Sequence, residues 1–116
     1  MPMYFSAGVN TGRITLKRFV ETTSTNPAKI FGLYPQKGAI QKGSYADIVV
    51  WDPQLSKKIR GADSFSKAGF SIFEGWEVTG WPILTIRRGD IVYEDGKVKG
   101  LAGSGKLLKR DPWKKQ

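Results

Sequence analysis

At 116 residues the chain is long enough for one domain with a hydrophobic core and too short for a (β/α)8 barrel, which needs about 250 residues. It contains no Cys and no His, which excludes disulfides, thiolate nucleophiles, the usual general base and the commonest metal ligand; its ten Asp and Glu residues alone would suit Ca²⁺ or Mg²⁺ better than Zn²⁺. The formal charge of +9 would suit an acidic partner, but no run of Lys and Arg exceeds three residues, so the sequence does not favour nucleic acid.

The first predicted helix begins near Thr15. Residues 1–10 are apolar and small, without a clear period, and predict no particular element. Thr15 can cap a helix that runs to about Thr23. Three apolar residues then share one face of that helix: Leu16, Phe19 and Val20. The four hydroxyl residues at 22–25 favour a break after it.

A second short helix is predicted to begin at Asn26. The Asn26 side chain can accept a hydrogen bond from an early backbone N–H, and Pro27 suits the first helical position. Gly32 stands where a left-handed residue would end the helix. After it, Gly38 and Gly43 bracket a short extended piece between two turns.

The first strand is predicted over Ala46–Trp51. Its apolar residues are consecutive, which is typical of a strand buried on both faces. Asp52-Pro53 is expected to end it, because Pro lacks the N–H that a sheet requires. Residues 54–60 predict another strand, residues 61–69 a polar loop, and residues 70–78 a turn of helix or an irregular lid.

A three-stranded meander is predicted after Gly80. Trp81-Pro82 opens a strand over Ile83–Arg88, and Gly89-Asp90 predicts a two-residue hairpin turn of the Gly-first kind. A strand over 91–94, a type I′ turn at Asp95-Gly96 and a last short strand over 97–99 follow. We expect one β-core, with Trp51 or Trp81 against it, made of Ile48, Val50, Ile83, Leu84 and Ile86.

Two stretches together resemble a known family. NPAKIFGLYPQKGAIQKGSYADIVVWDP, from Asn26 to Pro53, is similar to the segment where amidohydrolase-superfamily enzymes leave their catalytic barrel and enter a small β-domain. FEGWEVTGWPILTIRRGDIVYEDGKV resembles the last β-hairpins of the hydantoinase and dihydropyrimidinase branch, the cyclic amidases, and GSGKLLKR resembles their C-terminal tail. The resemblance covers about Ser6 to Arg110. It departs at Tyr45, where the family usually has an acidic or small polar residue, and in the loop DSFSKAG, where relatives often show His and Asp.

The resemblance implies a fold class and a division of the chain. We expect a mainly β fold with short N-terminal helices: the small, β-sandwich-like composite domain of amidohydrolases, without the catalytic barrel. Residues 1–34 would be the helical segment that follows the last barrel strand, residues 35–100 the small β-domain, and residues 101–116 a basic C-terminal tail. The chain would then be the C-terminal part of a cyclic amidase or a stand-alone remnant of one.

The catalytic motifs of that family do not occur in this sequence. Its members hold two divalent metal ions with a His-x-His pair, a carboxylated Lys, two further His and an Asp. Because this chain has no His, we predict no catalytic, cofactor-binding or metal-binding residue in it. The expected function is a structural and assembly role in a hydrolase of cyclic amide C–N bonds, such as those of hydantoins and dihydropyrimidines. The alternative is a stand-alone binding or assembly module derived from the β-domain.

Four other groups of residues have the composition of a possible binding or catalytic site. Asp47 and Asp52 are five apart in a strand, which puts them on opposite faces, so a strand-end cap and a turn residue are predicted rather than a carboxylate pair. Glu74 and Glu77 are three apart and are predicted to lie on a solvated edge of a helical turn, rather than to form a metal or acid–base pair. The stretch GLAGSGK fails the phosphate-loop pattern because Leu107 follows the lysine. The tryptophans Trp51, Trp76 and Trp81 are predicted to be buried anchors rather than a stacking platform.

The expected partners are a second copy of the chain or the missing barrel. Without a barrel, the apolar face of the N-terminal helices would either drive self-association or repack onto the β-domain. The large apolar residues of the tail offer a second contact, exchanged between copies: Leu107, Leu108 and Trp113. No stretch approaches the ~20 apolar residues of a membrane span, and the N-terminus does not resemble a secretory signal, so a cytoplasmic protein is expected.

Overall fold

The computed structural model describes residues 1–110 as a helical N-terminal segment packed on one open antiparallel sheet. Three short α-helices come first, α1 (Pro2–Tyr4), α2 (Leu16–Val20) and α3 (Asn26–Ile30), with π-helical turns at Phe5–Val9 and Glu21–Thr25. The strands follow in sheet order, β1 (Ile48–Lys58), β2 (Glu77–Arg87), β3 (Asp90–Glu94) and β4 (Lys97–Val98), with a 3-10 turn at Gly61–Asp63. The mainly β fold with short N-terminal helices is confirmed. Trp113, one of the predicted contact residues of the tail, lies outside the described residues.

The predicted cap at Thr15 is confirmed, but the predicted break after α2 is wrong. The Arg18 backbone N–H donates to the Thr15 hydroxyl at 3.1 Å. The chain then continues helically through the π turn Glu21–Thr25 into α3. The hydroxyls of Thr22 and Thr23 donate to carbonyls one turn back, at 2.8 and 2.7 Å. These hydroxyls bond within the helix instead of competing with it, so the segment does not break.

The end of α3 is as predicted, although its start is not. Asn26 has helical angles, φ −67° and ψ −45°, so it lies inside the continuous helical segment and does not cap it. At the other end Gly32 adopts φ +67°. The Leu33 N–H bonds to the Ala28 carbonyl and the Gly32 N–H to that of Lys29, which together form a Schellman motif.

β1 is one strand where two were predicted, because it passes through Asp52-Pro53. The Asp52 carboxylate accepts from the N–H groups of Gln54 and Leu55, at 2.9 and 3.1 Å, and the register shifts between Asp52 and Ser56. A bulge of this kind places Pro53 where no ladder N–H is needed. Pairing with β2 then resumes, with Ser56 opposite Thr79.

β2 begins at Glu77, six residues before the predicted strand, and includes Trp81 and Pro82. Pro82 is tolerated there because neither neighbouring strand needs its missing N–H. On the β1 side it lies opposite Trp51 at a second register shift, and on the other side β3 pairs with β2 only from Leu84 onward. Residues 70–76 are irregular, with turns at 72–75, as expected, but the predicted irregular segment to residue 78 is too long because β2 begins at Glu77.

The meander is confirmed, with one hairpin turn displaced. Arg87 pairs with Asp90, so the turn residues are Arg88 and Gly89, with φ of 51° and 90°. Both positive angles are those of a type I′ turn, rather than the Gly-first turn predicted one residue later. The second turn, at Asp95-Gly96, has φ of 47° and 82° and is the predicted type I′ turn.

The core lies between the helical segment and the sheet rather than within the sheet. We call it the aromatic junction: the rings of Phe5, Phe19 and Trp51, whose centroids are 5.3 to 5.9 Å apart, packed against Gly80. A Cβ at Gly80, whose φ is +101°, would lie 2.2 Å from the Phe5 ring. Trp51 therefore anchors the core, as predicted.

The predicted β-core is wrong in its residues. Val50 is 39% exposed, and the other four predicted members, Ile48, Ile83, Leu84 and Ile86, are half-buried. The buried apolar side chains of the described residues are instead Phe5, Phe19, Ala28 and Val78. The N-terminal helical segment packs onto the sheet through the rings of Phe5 and Phe19, which contact Trp51.

Candidate functional site

Asp47 and Asp52 are placed separately, as their spacing predicts. The Asp47 carboxylate accepts from the Arg88 backbone N–H at 2.6 Å and forms an ion pair with the Lys37 ammonium. It thereby ties the start of β1 to the β2–β3 turn. The Asp52 carboxylate caps the bulge inside β1. Both carboxylates are therefore structural hydrogen-bond acceptors.

Glu74 and Glu77 also have different surroundings. A Glu74 carboxylate oxygen accepts from the Gly61 N–H at 2.6 Å and closes the 61–74 loop. Glu77 opens β2, opposite Lys58 in the ladder. Both residues are exposed, as predicted, but the predicted helical turn is wrong, because Glu74 lies in a hydrogen-bonded turn and Glu77 in a strand.

The described residues do not fit the pair of divalent metal ions that the family resemblance implies. The sequence offers neither imidazole nor thiolate ligands. Residues 1–110 contain no cluster of three or more Asp or Glu side chains close enough to hold a metal ion. Asp47, the least exposed carboxylate with an ion-pair partner, is occupied by Lys37 and the Arg88 N–H. No chemical step can be assigned to a metal bound by these residues.

Of the three tryptophans weighed as anchors, only Trp51 packs in the core. Trp81 is half-buried, and the Lys57 ammonium lies 5.3 Å from its ring centroid. Trp76 is 55% exposed and contacts the Phe73 ring, so the prediction of a buried anchor is wrong for it. The three rings lie in different surroundings and do not form a stacking platform.

An apolar groove lies between the helical segment and β1, and we call it the helix–strand groove. It has a volume of about 480 Å³. Phe19 and Trp51 of the aromatic junction contribute to its lining. Its exposed apolar walls are Met1, Leu16, Val20, Ile40 and Val49. Leu16 is 58% exposed and Val20 47%, although both belong to the same helix as buried Phe19.

One polar end of the groove carries the Lys37–Asp47 ion pair. Burial, and secondarily the positive charge of Arg88, lowers the pKa of the Lys37 ammonium below its ordinary value. The Lys37 ammonium also lies 5.5 Å from the Tyr45 ring centroid. The groove is therefore apolar along its length and charged at one end.

Sequence reasoning identified the helical wall of this groove but missed its other side. Leu16 and Val20 were recognised as an apolar face. Ile40 and Lys37 lie in an irregular stretch, where no periodicity marks the buried side. The close approach of Gly38 to α3, where a Cβ would lie 2.6 Å from that of Ala28, places this loop beside the helix.

No helix within residues 1–110 has the length and apolarity required to cross a membrane.

Comparison with known proteins gives consistent matches. A sequence model of the amidohydrolase family matches residues 1–92. Dihydropyrimidinase from rat (Rattus norvegicus) is 46% identical over 113 residues, which cover 97% of this chain and 22% of the rat protein. D-phenylhydantoinase from Escherichia coli K12 is 44% identical, covering 97% of this chain and 24% of the bacterial protein.

Solved structures agree with these matches. The crystal structure of dihydropyrimidinase from Brevibacillus agri superposes with a TM-score of 0.95 at 39% identity, covering 99% of this chain and 25% of that protein. The chain therefore spans about a quarter of the length of the relatives that it matches.

Proposed function

The chain belongs to the amidohydrolase family and is homologous to its hydantoinases and dihydropyrimidinases, and from this premise we propose that it is a scaffold and assembly segment of a cyclic-amide hydrolase. The full hydrolase would open the C–N bond of a cyclic amide such as a hydantoin or dihydropyrimidine. The present residues would support that activity by binding the portion that contains the reacting groups. We further propose that they do not catalyse the reaction alone.

The single observation that carries this proposal is the exposed apolar side of the helical segment. Within one continuous helix, Phe19 is 6% exposed while Leu16 and Val20 are about half exposed. The segment adds two more exposed apolar residues at its C-terminal end, Ile30 and Phe31. Several large apolar side chains exposed on one helical segment are more typical of an interface than of a free surface.

The absence of imidazole supports the second half of the proposal. Amidohydrolases are generally metal-dependent, and we propose that the divalent metal pair of the full-length family is bound entirely by residues outside this segment. No Ser or Thr of the sequence has a His to activate it as a nucleophile. The contribution of the segment would then be to position and stabilise the part that binds metal and substrate.

Fragment complementation tests the proposal. The E. coli D-phenylhydantoinase gene would be expressed without the quarter that matches this chain, and the present chain supplied from a second plasmid. We expect metal-dependent hydrolysis of a hydantoin only when both are present, and none from the purified chain with Zn²⁺ or Mn²⁺. Hydrolysis that copurifies with the chain alone, and exceeds metal-only blanks, would contradict the proposal.

A matched pair of variants makes the test specific to the exposed surface. Leu16→Lys should prevent complementation, because it buries a charge in the proposed contact. Lys17→Ala, next to it on the exposed polar side, should complement as well as the unchanged chain. A folded chain that binds only itself and never restores activity would favour the alternative, a stand-alone assembly module.

A further inference from the structure

Two neighbouring guanidinium groups converge on one serine at the end of the sheet. Arg87 is the last residue of β2 and Arg88 is the first residue of the hairpin turn. A terminal nitrogen of Arg87 donates to the Ser104 hydroxyl, and one of Arg88 donates to the Ser104 carbonyl at 2.7 Å. Consecutive side chains of a strand point to opposite faces, but Arg88 has φ 51°, outside the strand region, and both side chains reach Ser104.

The positive charge of the Arg87 and Arg88 guanidinium groups is not balanced by nearby carboxylates. Among residues 1–110, no carboxylate oxygen lies within 4.0 Å of either guanidinium group. Asp90 is opposite Arg87 in the ladder without forming an ion pair with it. Asp47 is engaged by the Lys37 ammonium and the Arg88 backbone N–H. The Lys37 ammonium, which Asp47 neutralises, adds no excess charge, although the Arg88 charge contributes to lowering the Lys37 pKa.

One N–H donor of the two arginine side chains has no acceptor. The Nε of Arg87 is buried and makes no hydrogen bond within the part of the chain that the structure describes. A buried guanidinium N–H is rarely left unpaired, because its desolvation is then uncompensated. Open space flanks Ser104 on its own loop, since a Cβ at Gly103 or Gly105 would touch nothing within 4 Å.

We infer that Arg87, Arg88 and the loop at Ser104 form a binding site for a small oxyanion, with phosphate as the best fit. Two guanidinium groups present several N–H donors at fixed angles, which match the oxygens of phosphate or carboxylate. An anion here accepts from the terminal guanidinium N–H groups that now donate to Ser104, and it neutralises part of the excess charge. Arg87, Arg88 and Ser104 do not line the helix–strand groove, and the existence of the site does not depend on the proposed hydrolase role.

Thermal unfolding of the full chain in phosphate tests the site. Sodium phosphate would replace sodium chloride at constant ionic strength and constant pH, with sodium acetate as a parallel series. Ligand that binds only the folded chain raises Tm in a saturable way. We expect a saturable rise with phosphate and a weaker one with acetate; titration calorimetry with inorganic phosphate should give a dissociation constant that agrees with it.

Variants separate a built site from general charge. Arg88→Gln removes one guanidinium group and should weaken phosphate binding by about tenfold or more, the loss expected for one charge-assisted hydrogen bond. Arg13→Gln is the matched control: it removes the same charge from an exposed position and should leave binding unchanged. If Arg88→Gln unfolds, Ser104→Ala serves instead, because it frees the Arg87 terminal nitrogen and should preserve or strengthen binding.

Two results would overturn the inference. In the first, phosphate raises Tm no more than chloride does, or equally in Arg88→Gln and in the control, so that only nonspecific screening acts. In the second, the rise in Tm with phosphate does not saturate, so that no discrete site binds the anion. Saturable binding lost in Arg88→Gln and kept in Arg13→Gln would establish the site.

Discussion

The aromatic junction and the helix–strand groove both use side chains of α2, but those of the junction are buried and those of the groove are exposed. Phe19 packs on Phe5 and Trp51 and is 6% exposed, whereas its neighbour Val20 is 47% exposed. Both side chains are apolar, so hydrophobicity alone does not separate them. The difference teaches that one face of the helix completes a core within this chain, while the other stays exposed, and we propose that a partner covers it.

The largest expected effect comes from removing the centre of the junction. Phe19→Ala should lower the free energy of unfolding by about 3–5 kcal/mol, because it leaves a cavity between two other rings. Val20→Ala, on the groove side, should cost less than about 1 kcal/mol because the side chain is half exposed. Chemical denaturation followed by tryptophan fluorescence measures both. Equal losses for the two variants would remove the distinction between the faces.

A second variant tests how tightly the junction is packed. Gly80→Ala should cost about 3 kcal/mol, because its Cβ would overlap the Phe5 ring and because φ +101° is strained for any residue with a Cβ. Gly12→Ala is the control: Gly12 also has positive φ, +73°, but open space around it. It should cost about 1–2 kcal/mol, from backbone strain alone. If Gly80→Ala unfolds no more readily than Gly12→Ala, the contact between Gly80 and Phe5 is not tight.

The smallest expected loss of stability comes from removing the N-terminal cap of α2. Thr15→Ala removes the acceptor for the Arg18 N–H and should cost about 1 kcal/mol. Ser24→Ala, an exposed hydroxyl within the π turn, should be nearly neutral. Thermal unfolding of the two variants beside the unchanged chain is sufficient. A neutral Thr15→Ala would show that packing on the junction, and not the cap, fixes where α2 begins.

Features that depend on adjacent residues were predictable from the sequence. The cap at Thr15, the left-handed Gly32 and the Asp95-Gly96 turn each follow from a few neighbouring residues, and the structure has all three. The path of β1 through Pro53 did not follow, because its bulge is defined by pairing with residues some 25 positions away. Likewise the turn at Arg88-Gly89 is one residue earlier than local preference suggested, since register with β3 decides it.

The core and the groove were only half predictable for the same reason. An apolar stripe at Leu16, Phe19 and Val20 shows that a helix face is buried somewhere, but not which residue faces the sheet. The run at Ile48–Val50 indicated a strand buried on both faces, yet the described sheet is covered by the helical segment near Trp51 and leaves Val50 exposed. Burial in that run depends on elements that the run itself does not specify.

The most direct test of the account replaces two adjacent residues by the same charged one. The Tm of Phe19→Lys and of Val20→Lys would be measured by thermal unfolding. Each variant would then be mixed with the complementing portion of E. coli D-phenylhydantoinase, and association would be measured by sedimentation velocity. The account predicts that Phe19→Lys unfolds the chain, whereas Val20→Lys keeps its Tm and loses association. A Val20→Lys chain that associates as well as the unchanged one, or that unfolds as Phe19→Lys does, would contradict the claim that this face is an interface.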